Sequence, residues 1–176
     1  EHFFNLSNIV SKKYLKKGGT VLEIGCNDGV FLNHVVKNNK IKCIGVDPAK
    51  NVIKNIKDKR ITTYGKPFDL KLSKKIKSRF KKVDLIVSSF SFGHIDNMKS
   101  VVGGIDNLLD ENGTFIFEIY YLGTVIKEFQ YDMMYHEHMT YYTIKSLRKF
   151  LANYNLRIFN IEQIKLYRKS STNLPV

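Results

Sequence analysis

Nine residues in the C-terminal half, Met134–Tyr142, read MYHEHMTYY. They combine two of the chain's five histidines, a glutamate between them and three of its ten tyrosines. Histidine titrates near neutrality, so this segment can take up and return a proton, and an adjacent carboxylate can hold the charge that results. His136 and His138, joined by His94, could instead ligate zinc. The spacing is not the HExxH of a zinc helix, and the segment supplies no orienting partner for a ligand imidazole, so no metal is expected. If the segment is extended, Tyr135, Glu137 and Met139 share one side and His136 and His138 the other. If it is helical, His138 approaches Tyr141 and Tyr142. Six of the ten tyrosines fall between Tyr120 and Tyr142, a composition that suits a polar aromatic pocket wall. A crowded surface loop is the competing reading.

A second cluster lies in EIGCNDG, Glu23–Gly29. Gly25 permits a sharp turn and a close ligand approach. Asn27, Asp28 and Gly29 then lead into a helix whose first amides face the ligand. A dinucleotide site needs GxGxxG so that a pyrophosphate can rest on those amides. Asn27 and Val30 occupy the second and third glycine positions here, and Asp28 would repel a pyrophosphate. The pattern Glu-x-Gly-x-x-x-Gly resembles instead the first motif of class I S-adenosylmethionine (SAM) methyltransferases. That resemblance makes Glu23, Gly25, Cys26, Asn27, Asp28 and Gly29 a cofactor loop. Asp47, 22 residues after Gly25, ends the next apolar run and precedes Pro48, which is expected beside the cofactor and in the first turn of the next helix. Its carboxylate can accept both ribose hydroxyls, or simply cap the following helix. Phe68 and Asp69 are expected to cover the adenine, with Ser88 and Ser89 under the methionine end.

These residues need a frame. Apolar runs at Thr20–Gly25, Lys42–Asp47, 60–64, Val83–Ser89 and 114–120 read as strands, with a sixth at 156–166. Helical spacing falls between them, and the Met98–Leu109 helix is expected to stop near Asn112 and Gly113. Buried strands alternating with amphipathic helices predict a Rossmann-like α/β fold with a mostly parallel sheet and helices on both faces. Such sheets bind ligands at the carboxyl ends of their strands, where every unusual residue of this chain falls.

Composition narrows the function classes. With 43% hydrophobic residues in 176, a single domain over 1–176 with its own core is expected. No apolar run reaches transmembrane length, and the N-terminal residues show no secretion signal. Cys26 and Cys43 sit apart in apolar stretches, which suits a reducing cytoplasm. The net charge is +13, yet only five of the 29 basic residues are arginine, and the lysines are spread along the chain. In the densest run, Lys71–Lys82, Leu72, Ile76 and Phe80 recur every four residues, as in a helix with one apolar stripe and a solvated basic face. Nucleic acid and membrane are therefore not the expected partners; a small molecule is.

VLEIGCNDGVFL, IGVDPAKNV, GHID, FEIYYL and YDMMYHEHMTYYTIKSL together resemble, in this order, the central domain of the SAM-dependent sugar C-methyltransferases. The resemblance spans roughly residues 3–165. It implies a nucleotide-linked 4-keto-6-deoxy sugar as substrate in deoxysugar biosynthesis. It makes His138 the base that removes the C3 proton, with Glu137 and His94 at the same site and Tyr135 as a catalytic or substrate contact. His136 and Tyr141 join Tyr135 on the substrate side. Family members also carry a zinc-binding cysteine domain before this one, which adds a site tyrosine, and a nucleotide-sugar-binding domain after it. The chain is thus expected to be a piece of a larger enzyme or a reduced relative, with flanking domains needed for full activity. Phe90 stands where the family carries an asparagine, and the tail YRKSSTNLPV lacks the family's glycine-glycine-serine turn. Other readings are an O- or N-methyltransferase of another small molecule, and a non-catalytic basic domain that binds nucleic acid or a partner.

Overall fold

A computed structural model describes residues 1–37 and 40–164; the tail YRKSSTNLPV lies outside the described residues. Five strands form one parallel sheet: β1 (Thr20–Ile24), β2 (Lys42–Val46), β3 (Ile61–Tyr64), β4 (Val83–Ser89) and β5 (Leu109–Glu118), in the order β3-β2-β1-β4-β5. Among the described residues seven α-helices accompany them: α1 (His2–Lys13), α2 (Val30–Val35), α3 (Lys50–Ile53), α4 (Leu70–Phe80), α5 (Met98–Leu108), α6 (Leu122–Lys127) and α7 (Ile144–Leu151). This is the Rossmann-like arrangement that the alternating pattern predicts. Strand order reverses at β1, which has β2 on one side and β4 on the other. The loops leaving β1 and β4 therefore part and open a crevice at the carboxyl edge.

Both faces of the sheet are dry. Leu22, Ile44 and Ile86 pack with Ile76 of α4 and with Val102, Ile105 and Leu108 of α5 on one face. Val21, Cys43, Leu85 and Val87 pack with Val10 of α1 and with Phe31, Leu32 and Val35 of α2 on the other. Burying each of these side chains is worth about 1.5–3 kcal/mol, enough to hold the strand ends still under the site. On α4, Leu72 and Ile76 are buried while Lys71, Lys74 and Lys75 face solvent, as the four-residue spacing requires. Asp69 caps this helix, accepting from the Leu72 amide at 2.6 Å.

Three expectations are corrected. No strand forms over 156–164; Leu156 and Ile158 pack against the core without joining the ladder, and Lys165 and Leu166 lie outside the described residues. Asn112 and Gly113 do not follow a helix stop: β5 begins at Leu109, directly after α5, and they lie within it. The ladder to β4 jumps from Val83↔Leu109 to Leu85↔Thr114, so the polar residues 110–113 bulge out of register. Pro48 lies ahead of the first turn of α3, whose N-cap is Ala49. Among the described residues no helix is long and apolar enough to cross a membrane.

Candidate active site

The loop after β1 is fastened to β2. The amides of Gly25 and Cys26 both donate to Val46 O, at 2.8 and 3.2 Å. Gly25 has φ +74°, and a Cβ there would stand 2.5 Å from the Ser91 side chain. Only glycine satisfies both conditions. Gly29, at φ +78°, caps α2, and a Cβ on it would meet Ile56 at 2.8 Å. Asn27 also takes a positive φ, +49°, and its amide donates to Asp47 Oδ2 at 2.9 Å. Asp47 Oδ1 accepts from the Ala49 amide at 2.8 Å. Asp47 thus ties the first loop to the second, and each oxygen keeps lone-pair capacity for a ligand hydroxyl. Asp28 and Pro48 are exposed at the rim.

Glu23 is the unusual member. It stands in a fully buried strand, 3% exposed, and its Oε2 has no hydrogen-bond partner. Burial first, and then the charges of Asp47, Asp28 and Glu118, hold its carboxyl well above the usual carboxylate range. A buried carboxylate so placed calls for a cation. SAM carries an ammonium and a sulfonium and no phosphate, so the donor set fits it and opposes a dinucleotide.

Not every expected contact points at the ligand. Cys26 buries its thiol against Gly45, where an added Cβ would stand 2.8 Å from the sulfur, and burial pushes that thiol's pKa up. Only its backbone can face the loop. Ser91 Oγ donates to Ile24 O at 2.8 Å, so its oxygen accepts from Ser88 Oγ at 2.7 Å. Ser88 is thereby committed to the protein, while the buried Ser89 hydroxyl keeps no partner. Phe68 is corrected outright: its ring is 5% exposed and packs in the core against Gly104 of α5. A phenylalanine after a strand end can turn to either side, and here the apolar core claims it.

The acceptor side collects on the loops after β4 and β5. Tyr135–His138 is a turn closed by the His138 amide on Tyr135 O at 3.0 Å, neither strand nor helix. The turn separates the two histidines. His136 is exposed, whereas His138 is 8% exposed and stands among Tyr135, Tyr120 and Tyr141 at ring-centroid distances of 4.2, 5.0 and 5.8 Å. His94 comes within 4.9 Å of it. His138 Nδ1 lies 2.7 Å from Met133 O, and a carbonyl can only accept, so Nδ1 carries the hydrogen and neutral Nε2 is left as a base. Tyr141 donates to the same carbonyl at 2.8 Å. His94 Nδ1 donates to Glu137 O at 2.8 Å, with the same consequence. Glu137 enters the site by its backbone; its side chain is exposed. The orienting group for His138 is thus a main-chain carbonyl, where the sequence pointed to a carboxylate.

Residues 5–161 match the family model described as a methyltransferase domain. The chain belongs to that family. This methyltransferase domain uses SAM as its cofactor. It is 29% identical over 147 residues to the C-methyltransferase NovU of Streptomyces niveus, covering 84% of this chain and 35% of NovU. It is 28% identical over 155 residues to malonyl-[acyl-carrier protein] O-methyltransferase 2 of Ilyobacter polytropus, covering 82% of this chain and 58% of that enzyme. The chain thus spans a third to somewhat over half of these relatives. Among solved structures, the complex of the Haloferax volcanii Trm112 methyltransferase activator with a methyltransferase superposes with a TM-score of 0.72 at 17% identity, covering 99% of this chain and 79% of the other. That likeness concerns the fold.

Proposed function

We propose that this domain carries out C-methylation of a nucleotide-linked 4-keto-deoxysugar. The observation that carries the proposal is the buried His138, whose Nδ1–H is given to Met133 O so that Nε2 is free to accept a proton. A ring carbon is a poor nucleophile until it loses a proton, and a neighbouring ketone makes that proton removable. His138 Nε2 takes the proton from the carbon beside the ketone, and the electron pair passes to the carbonyl oxygen as an enolate. Tyr120, Tyr135 and Tyr141 stand around the base, which is itself buried. Asp47 and Glu23 hold the cofactor at the neighbouring strand ends. When bound, SAM supplies the electrophilic methyl group.

Proton exchange isolates the base. A nucleotide-linked 4-keto-6-deoxy sugar is incubated with the domain and S-adenosylhomocysteine (SAH) in D2O and followed by proton NMR. The C3 proton is expected to wash out, and His138→Ala is expected to stop it. Wash-out unaffected by His138→Ala would sink the mechanism. The similarity to a malonyl-[acyl-carrier protein] O-methyltransferase supports a second reading, methyl transfer to an oxygen. That chemistry needs no carbon base, so methyl transfer without exchange would favour it.

A further inference from the structure

Three polar side chains with buried oxygens lie in a row across the carboxyl edge of the sheet: Glu23 on β1, Ser89 on β4 and Glu118 on β5. The ladder places them on one face. Glu23 pairs with Val87, Val87 with Ile116, and Ser89 with Glu118, two residues further along each strand. Val87 and Ile116 belong to the core under α1 and α2, so the row points to the side that α1 covers. Glu23 Oε2, Ser89 Oγ and both Glu118 carboxylate oxygens have no hydrogen-bond partner.

The first residue of α1 reaches this row. His2 Nε2 stands 2.9 Å from Glu118 Oε1, close enough for an ion pair but outside hydrogen-bond geometry, so the hydrogen-bonding capacity of Nε2 is unspent. Its ring lies 6.0 Å from Phe90, at the end of β4. Asp28, Asp47 and Glu118 lie close enough to Glu23 to help raise its pKa, so four acidic side chains gather at this edge. Among the described residues His2 is the only basic side chain within ion-pair distance of any of them. The methionyl end of SAM bears an ammonium and a carboxylate on one carbon. The carboxylates here suit the ammonium, but the ligand's own carboxylate requires a donor.

We propose that His2 is the donor to the carboxylate of the cofactor's amino-acid end, and that Glu118 positions it while facing the ammonium. This rests on SAM being the cofactor. The N-terminal helix thereby becomes part of the binding site, and the His2–Glu118 pair is the mirror of the zwitterion it recognises. Ser89 Oγ, between the two acids, is a further donor on the same side.

Calorimetry with SAM, SAH and decarboxylated SAM tests this without any turnover. The wild-type domain is expected to bind SAH and SAM at least tenfold more tightly than decarboxylated SAM. His2→Ala is expected to lose about tenfold on SAM and SAH, in line with a hydrogen bond to a charged group, and nothing on decarboxylated SAM. His2→Arg keeps a donor and retains the preference; Glu118→Gln narrows it. Equal losses on all three ligands would assign His2 a purely structural role and overturn the proposal. So would a wild-type domain that does not distinguish the decarboxylated ligand, a result that needs no variant. Failure of the wild type to bind any of the three would instead remove the cofactor reading, and the proposal with it.

Discussion

On the cofactor side, the loop 25–29 hangs from the sheet by backbone amides: Gly25 and Cys26 on Val46 O, and Asn27 on Asp47. On the acceptor side, the turn that carries His138 touches the sheet region more thinly. The Thr140 amide reaches Gly93 O at 3.3 Å, His94 Nδ1 reaches Glu137 O at 2.8 Å, and an isolated bridge joins Tyr121 to Tyr142. Tyr135, His136, Glu137 and Met139 are all exposed. One half is set by strand ends buried on both faces, the other by short turns whose hydrogen bonds are mostly their own. A conserved ligand can be met by a rigid frame. A varied acceptor is better met by a turn that changes without disturbing the frame.

Substitutions can break or sharpen this contrast. The largest effect is expected from His138→Ala, which should cut proton wash-out or methyl transfer by roughly 10²–10⁴-fold while leaving SAM affinity in calorimetry within error. A matching loss of SAM binding would show that the halves are not separable. Gly25→Ala should act on the frame. A Cβ at 2.5 Å from Ser91, on a residue at φ +74°, is expected to cost about 2 kcal/mol or more in chemical denaturation and to abolish SAM binding. Asp47→Asn keeps an acceptor but loses the charge that two loop amides share, and about a tenfold weaker SAM Kd is expected.

Glu23→Gln separates binding from stability. The folded state holds the Glu23 proton more tightly than the unfolded chain does, so the stability it contributes is complete at acidic pH. That contribution is lost as pH rises from the model-peptide value of 4.5 towards the elevated folded one. Glu23→Gln should therefore be more stabilising relative to wild type at pH 8 than at pH 4, as read by urea denaturation, while SAM binding weakens. A pH-independent difference would place the ionised form in the empty crevice. The smallest effect belongs to Tyr141→Phe, which removes a donor that Met133 O shares with His138. About 0.5–1.5 kcal/mol of stability and a modest change in exchange rate are expected.

The same contrast decides what could be read from the residues alone. The first loop was legible because two glycines at left-handed angles, a buried strand and a carboxylate at the next strand end are constraints of the backbone itself. The YHEH turn was legible in composition and not in shape. Its residues suit strand and helix equally, and the i to i+3 turn that separates His136 from His138 leaves no periodic signature. Phe68 misled because a core contact and a ligand contact ask for the same ring. The bulge at 110–113 hid behind an Asn-Gly pair that also suits a helix end. Glu118 had a signal in FIFEIY, an acid within an apolar strand. His2 had none, since only the fold brings the start of α1 to the end of β5.

The atom that orients His138 belongs to the main chain, and this shapes how the site can vary. A carbonyl is indifferent to its side chain, so position 133 can drift among many residue types without changing the tautomer of the base. The count of residues between 133 and 138 cannot drift. One inserted or deleted residue would carry the carbonyl away from both His138 and Tyr141 at once. In this corner of the molecule loop length, rather than the side chain at 133, sets the tautomer of the base.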